Sequence, residues 1–119
     1  MSFKGSANSG VMTLFVQRIS GIVLLFMLLF HFFVMHFVVK SHDITYEWVA
    51  RRFANPLWKV FDESFLILAL WHAFYGFKMV ADDYFRSNGV RIFFITLVFI
   101  LTLALFLLGS ITILTFRAA

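Results

Sequence analysis

From Ile92 to Phe116 the chain reads "IFFITLVFILTLALFLLGSITILTF", a run without one ionisable side chain. That exceeds the roughly 20 apolar residues an α-helix needs to cross a hydrocarbon core of ~30 Å, where a single segment must satisfy its own backbone. A second run, "ISGIVLLFMLLFHFFVMHFVV" between Arg18 and Lys40, is also long enough to cross unaided. The third, "SFLILALWHAFYGF", is shorter, but Lys59 and Lys78 at its flanks can snorkel, so a helix from about Pro56 to Ala81 is expected. Composition agrees: 62% of residues are hydrophobic and 13% charged, with a mean hydropathy of +0.94, a balance that marks a membrane protein.

The expected architecture is therefore an all-α integral membrane protein, three transmembrane helices plus a short interfacial helix. Residues 1–13 read as a flexible N-terminal leader, 14–40 as transmembrane helix 1, 41–55 as an interfacial connection, 56–82 as transmembrane helix 2, 83–91 as a turn and 92–116 as transmembrane helix 3. The start "MSFKGSANSGVMTLFVQR" shows no small-residue cleavage site after a short apolar core, so the first span is expected to be retained. In the connection "ITYEWVARRFANP", Tyr46, Val49, Ala50 and Phe53 share one helical face while Glu47, Arg51 and Arg52 point elsewhere, the pattern of a helix lying in the interface. Asp43 is the expected N-cap and Pro56 opens the next helix. In "DDYFRSNGVR", Asn88-Gly89 is expected to supply the break.

The formal charge of +4 comes from Lys and Arg at segment ends, which points to headgroups and membrane lipid rather than to nucleic acid. The positive-inside count is tied: Lys4, Arg18, Lys78, Arg86 and Arg91 fall on one side, Lys40, Arg51, Arg52, Lys59 and Arg117 on the other. Without cysteine the chain cannot form disulfides, thiolate metal sites, Cys-bound iron–sulfur clusters or covalent haem links. Any redox group must be held by histidine or borrowed from a partner.

His72 lies in "LWHAFYGFKMVADDY", roughly 15 Å along a helix from Asp82 and near the middle of the core. A neutral imidazole there has one donor and one acceptor nitrogen to satisfy, by ligating a haem iron or by an interhelical hydrogen bond. Gly76, one turn on, leaves the same face bare for a flat macrocycle or for close helix packing. His31 and His36 point about 140° apart, so at most one of them serves a given macrocycle. Ser20, Leu24 and Met35 share the His31 face. His36, near Lys40, reads as an interfacial hydrogen-bonding residue and the fallback ligand, and His42 as a solvated surface residue. Asp83 falls three turns after His72, about 20° off its face, with Tyr84 beside it. These two read either as an aromatic-belt anchor and a solvated helix end, or as donors and proton relays for a quinone head.

The His72, Gly76, Lys78, Asp83 and Tyr84 pattern resembles the second-helix motif, H-x-x-x-G-x-[RK]-x-x-x-x-D-Y, of the membrane anchors of succinate:quinone oxidoreductase (succinate dehydrogenase, complex II). "ITYEWVARRFANPLWKVFDESFLIL" is similar to the stretch before it in the D-type anchors, and "QRISG" resembles their entry to helix one. The likeness runs from Met12 to Phe116. It implies a non-flavin membrane subunit, half of a heterodimeric helical bundle in the cytoplasmic membrane with its N-terminus cytoplasmic, partnered by a C-type membrane-anchor subunit, an iron–sulfur subunit and a flavoprotein subunit. His72 would then be an axial ligand of a b-type haem shared with the C-type anchor, and Tyr84 with Asp83 would line the site of the quinone substrate. Arg18 would stand near the quinone or the haem propionates, and Lys78 would meet a propionate. His31 is expected to ligate a second haem, as in two-haem anchors, because an imidazole roughly 20 Å past Arg18 is costly without a partner; the His31 and His72 depths are expected to differ by about 5 Å, so a shared haem stays open. Other readings are a haem-free structural anchor, a quinol:fumarate reductase anchor, and a small multidrug exporter, which needs a fourth span and an acidic residue in span one.

Overall fold

The computed structural model describes residues 4–117, with side chains from Gly10 onward. It holds four α-helices: α1 (Lys4–Phe33), α2 (Tyr46–Ala54), α3 (Pro56–Tyr84) and α4 (Asn88–Thr115). A π turn, Val34–Val38, continues α1, and a 3-10 turn, Ser41–Asp43, precedes α2. Three stretches, Gly10–Val38, Pro56–Tyr84 and Asn88–Thr115, are long and apolar enough to cross a membrane, so the all-α, three-span expectation holds.

Local chemistry explains the boundaries. Thr45, not Asp43, caps α2, its side chain accepting from the Trp48 backbone N–H at 3.2 Å. Asp43 lies instead at the end of the 3-10 turn, too early in the chain to reach α2's first amides. Asn55 caps α3 by accepting from the Leu57 N–H at 3.0 Å, with Pro56 as the first helical residue. The break between α3 and α4 falls at Phe85–Ser87, not at Asn88-Gly89. Phe85 and Ser87 are extended, and no described glycine takes a positive φ, so Gly89 simply begins α4. Arg91 fastens Asn88 into that first turn, donating to its side-chain oxygen at 2.6 Å.

Helix α1 is longer than expected: residues 4–13 of the supposed leader are helical, and residues 1–3 lie outside the described residues. Arg18 therefore lies well inside the helix instead of at its mouth.

Helix α3 is the middle element, packed on α1 along one side and α4 along the other. Small residues set the spacing. A side chain on Gly109 of α4 would fall 2.6 Å from a Leu66 methyl of α3. Ala81 is buried beside the α3–α4 turn, where Phe85 stacks on Phe94 at 4.8 Å. Ser110 of α4 donates to Glu63 Oε1 at 2.6 Å, and Lys59 Nζ reaches the Leu114 carbonyl at 3.3 Å. Among the described residues only Ser20, Ala50, Phe53 and Ala81 are buried, and many large apolar side chains are exposed. That is the surface of a protein that meets lipid or another helical subunit.

Helix α2 folds back against the start of α3. Ala50 and Phe53 are buried as the face pattern predicts, and Tyr46 stacks on Phe116 at 4.6 Å while its hydroxyl donates to the Arg117 carbonyl at 2.7 Å. Arg52 departs from the expectation that it points away. Its guanidinium forks onto Asp62 at 2.8 and 3.0 Å and lies 4.5 Å from the Trp58 ring. The two side chains are 6% and 11% exposed. A charge facing hydrocarbon is worse than one folded onto a carboxylate and an indole, so the ion pair wins over the amphipathic pattern. Breaking one side of such a pair costs about 3–5 kcal/mol because the other charge is left uncompensated. Arg52→Ala is expected to lower the thermal midpoint of the detergent-purified protein sharply. Arg52→Lys should restore little of it, since an ammonium cannot make the fork; full rescue by lysine would show that charge alone matters.

Candidate functional site

One cluster of polar residues within the spans lies where α1 crosses α3. One turn of α1, Gln17 to Gly21, meets one turn of α3, His72 to Gly76. Ser20, 4% exposed, sits with its hydroxyl oxygen 3.0 Å from His72 Nδ1. The same hydroxyl donates to the Gln17 carbonyl at 3.0 Å. The Gln17 side-chain amide donates to the His72 carbonyl at 2.9 Å, while its own oxygen is buried without a partner. Two glycines allow this approach: a Cβ on Gly21 would meet His72 Cε1 at 3.1 Å, and one on Gly76 would meet Gln17 Nε2 at 3.0 Å. The bare face of Gly76 is thus taken up by Gln17, close helix packing of the kind small residues permit.

On the open side of the crossing lies a groove of about 440 Å³ lined by Gly21, Leu24, Leu25, Leu28, Phe65, Ala69 and His72. The imidazole is its one polar lining group, and Nε2 makes no hydrogen bond among the described residues. A single aromatic nitrogen at the edge of an apolar slot can ligate a metal centre carried in a flat apolar cofactor; it cannot hold a bare cation, and no three His, Asp or Glu residues cluster among the described residues.

The other expected site residues divide. His31 packs against α3 by stacking on Phe65 at 5.7 Å between ring centroids. It lies ten residues past Gly21 on α1, and Phe65 seven before His72 on α3, which separates the two imidazoles by roughly 10 to 15 Å along the bundle. That is wider than the expected 5 Å, because α1 carries Arg18 only about one turn beyond the Gly21 level. His36 sits in the π turn, donates from Nδ1 to the Phe32 carbonyl at 3.0 Å and stacks on Phe32. His42 is exposed, 3.5 Å from Asp43.

At the end of α3, Lys78 is engaged by Asp82 at 2.9 Å, and Arg91 approaches the other Asp82 oxygen at 3.7 Å. Asp83 and Tyr84 are exposed, Tyr84 at 80%, and no bond joins them. Arg18 is exposed on α1 and has no partner among the described residues. Sequence reasoning missed Gln17 and Gly21 and assigned Ser20 to the His31 face alone. Ser20 and His31 do share the α3-facing side of α1, but periodicity within one helix says nothing about which residue of another helix stands opposite.

The chain matches the family described as succinate dehydrogenase/fumarate reductase transmembrane subunit over residues 2–111. It is 28% identical over 101 residues to the succinate dehydrogenase hydrophobic membrane anchor subunit of Coxiella burnetii, a match spanning 85% of this chain and 85% of that protein.

The glycine at the crossing gives a direct test of this geometry. Gly21→Leu drives a branched side chain into the imidazole and the groove, an overpacking worth about 1–3 kcal/mol, and should lower both assembly yield and thermal midpoint. Gly10→Leu, where a Cβ meets nothing within 4 Å, should change neither. Equal effects of the two would mean that α1 does not cross α3 at Gly21.

Proposed function

Since the chain belongs to the family of succinate dehydrogenase/fumarate reductase transmembrane subunits, we propose that it holds b-type haem through His72 and helps to form a quinone site. On this reading it is the hydrophobic anchor of a complex that passes electrons from succinate to membrane quinone. The observation that carries the reading is the His72 imidazole, bonded at Nδ1 to Ser20, with Nε2 free of hydrogen bonds among the described residues, lining an otherwise apolar open groove. A haem there supplies one-electron transfer between iron–sulfur centres and quinone. Its second ligand and the other wall of the groove come from a C-type anchor. Arg18, exposed one turn from the Gly21 level, is suited to a propionate, for a guanidinium within the span needs an anionic partner. Lys78 is the weaker candidate, because Asp82 already engages it.

Tyr84 and Asp83 lie at the end of α3 that shares a side with the N-terminus. We assign that side to the cytoplasm, where the iron–sulfur and flavoprotein subunits dock. The Tyr84 phenol, bound to nothing among the described residues, is available to donate to a quinone carbonyl, with Asp83 nearby to relay protons. The offset of His31 along the bundle, toward the opposite side, supports a second haem over a share in the first. The haem-free alternative draws on the same crossing: Ser20 already bonds the imidazole and Gln17 already fills the space over Gly76, as in plain helix packing. The anchor's geometry favours neither succinate oxidation nor fumarate reduction; the name of the Coxiella relative favours the former.

An absorption spectrum of the purified complex separates the readings. His72→Ala should abolish a low-spin b-type signal, and His31→Ala should lower the haem-to-flavin ratio from two toward one. An unaltered spectrum in His72→Ala rejects ligation there, and a ratio of one unaltered in His31→Ala confines the site to His72.

Quinone binding has its own assay. Tyr84→Phe removes one exposed donor, and loss of such a bond costs on the order of 1–1.5 kcal/mol, a drop of roughly five- to tenfold in quinone-dependent turnover. Succinate oxidation with a soluble dye acceptor should be intact. Parallel loss of both activities would assign Tyr84 to assembly.

A further inference from the structure

The Ser20 hydroxyl has one proton and two short contacts, and the proton can be assigned. The Gln17 carbonyl only accepts, so at 3.0 Å it takes the hydroxyl proton. The 3.0 Å contact to His72 must then run the other way, with Nδ1–H donating to a Ser20 lone pair. The opposite arrangement places the ring proton on Nε2, which has no partner among the described residues, in a ring that lines a slot with Gly21, Leu24, Leu25, Leu28, Phe65 and Ala69. None of these side chains accepts a hydrogen bond, and an unpaired N–H in apolar surroundings is costly. Water does not compete for the hydroxyl, since Ser20 is 4% exposed.

We propose that Ser20 is a positioning residue that fixes His72 in the Nδ1–H tautomer, leaving Nε2 as a bare lone pair turned toward the groove. The same turn of α1 fixes the ring in two further ways. Gln17 holds the His72 carbonyl at 2.9 Å, and Gly21 lies flush against Cε1. Ligating histidines ordinarily donate their distal N–H to a carboxylate, a carbonyl or water; a serine hydroxyl occupies that position here. A hydrogen bond from Nδ1–H makes the ring a more electron-rich donor, which favours an oxidised metal and lowers its reduction potential.

The consequence for potential rests on the haem reading, whereas the tautomer does not, and the test keeps the two apart. In the purified complex with all its subunits, Ser20→Ala should retain haem but raise its midpoint potential and shift its absorption maximum. Ser20→Thr, which keeps the hydroxyl, should return both to the parent values. An unchanged potential and spectrum in Ser20→Ala, with haem still lost in His72→Ala, overturns the role of Ser20 and leaves ligation standing. Haem retained in His72→Ala overturns ligation instead. Should Ser20→Ala fail to assemble, nitrogen-15 NMR of the unsubstituted complex stripped of haem reads the tautomer directly from the resonance that His72→Ala removes. A proton on Nδ1 sustains the proposal, and one on Nε2 ends it.

Discussion

Inside a bilayer a polar group has no water to fall back on, so each must find its partner in protein, and in this chain that requirement fixes where the helices cross. Gln17, Ser20 and His72 bond one another across a gap that the glycines at 21 and 76 leave narrow enough. The exchange is reciprocal: α1 offers a glycine to the imidazole of α3, and α3 offers a glycine to the amide of α1. Once that crossing is set, the remaining α1–α3 contacts follow by helical repeat, with His31 on Phe65 and Phe30 on Trp58 and Phe61 toward the other end.

Asymmetry follows from α3 being in the middle. Its polar side chains are shared between neighbours: His72 goes to α1, Glu63 to α4 and Asp62 to α2. Each partner helix is thus held by at least one bond that lipid cannot replace. The outward faces of α1 and α4 are almost purely apolar and carry no such bonds, so they can meet acyl chains or the helices of another subunit at little cost. The groove beside His72 is where these two kinds of surface meet, one polar atom on an otherwise apolar wall.

The three spans were legible in the sequence because they depend on one-dimensional quantities: run length and flanking charge. The partners of His72 were not, because which turn of α1 opposes which turn of α3 is a two-helix property. Charges misled where they served as rulers. Arg18 looked like a membrane edge, yet α1 continues past it to Lys4, and Arg52 looked solvent-facing, yet Asp62 and Trp58 draw it inward. Turn chemistry misled for a related reason. Asn88-Gly89 is a strong break signal in isolation, but Arg91 holds Asn88 in a helical first turn and the extended residues fall just before it.

Asp82 and Asp83 show how neighbours on one helix come to do different work. They project about 100° apart, and only Asp82 points to where Lys78, one turn back, and Arg91, across the turn, can both reach it. Two cations on one carboxylate tie the end of α3 to the start of α4, so the α3–α4 turn needs nothing from Asp83. Exposed pairs of this kind are individually weak, but Asp82 joins both elements of the turn, and Phe85 on Phe94 closes it from the apolar side. The carboxylate of Asp83 and the phenol of Tyr84 are thereby left uncommitted on a fixed support. That is the condition a site for a mobile substrate requires, since groups consumed by the fold cannot also be offered to a ligand.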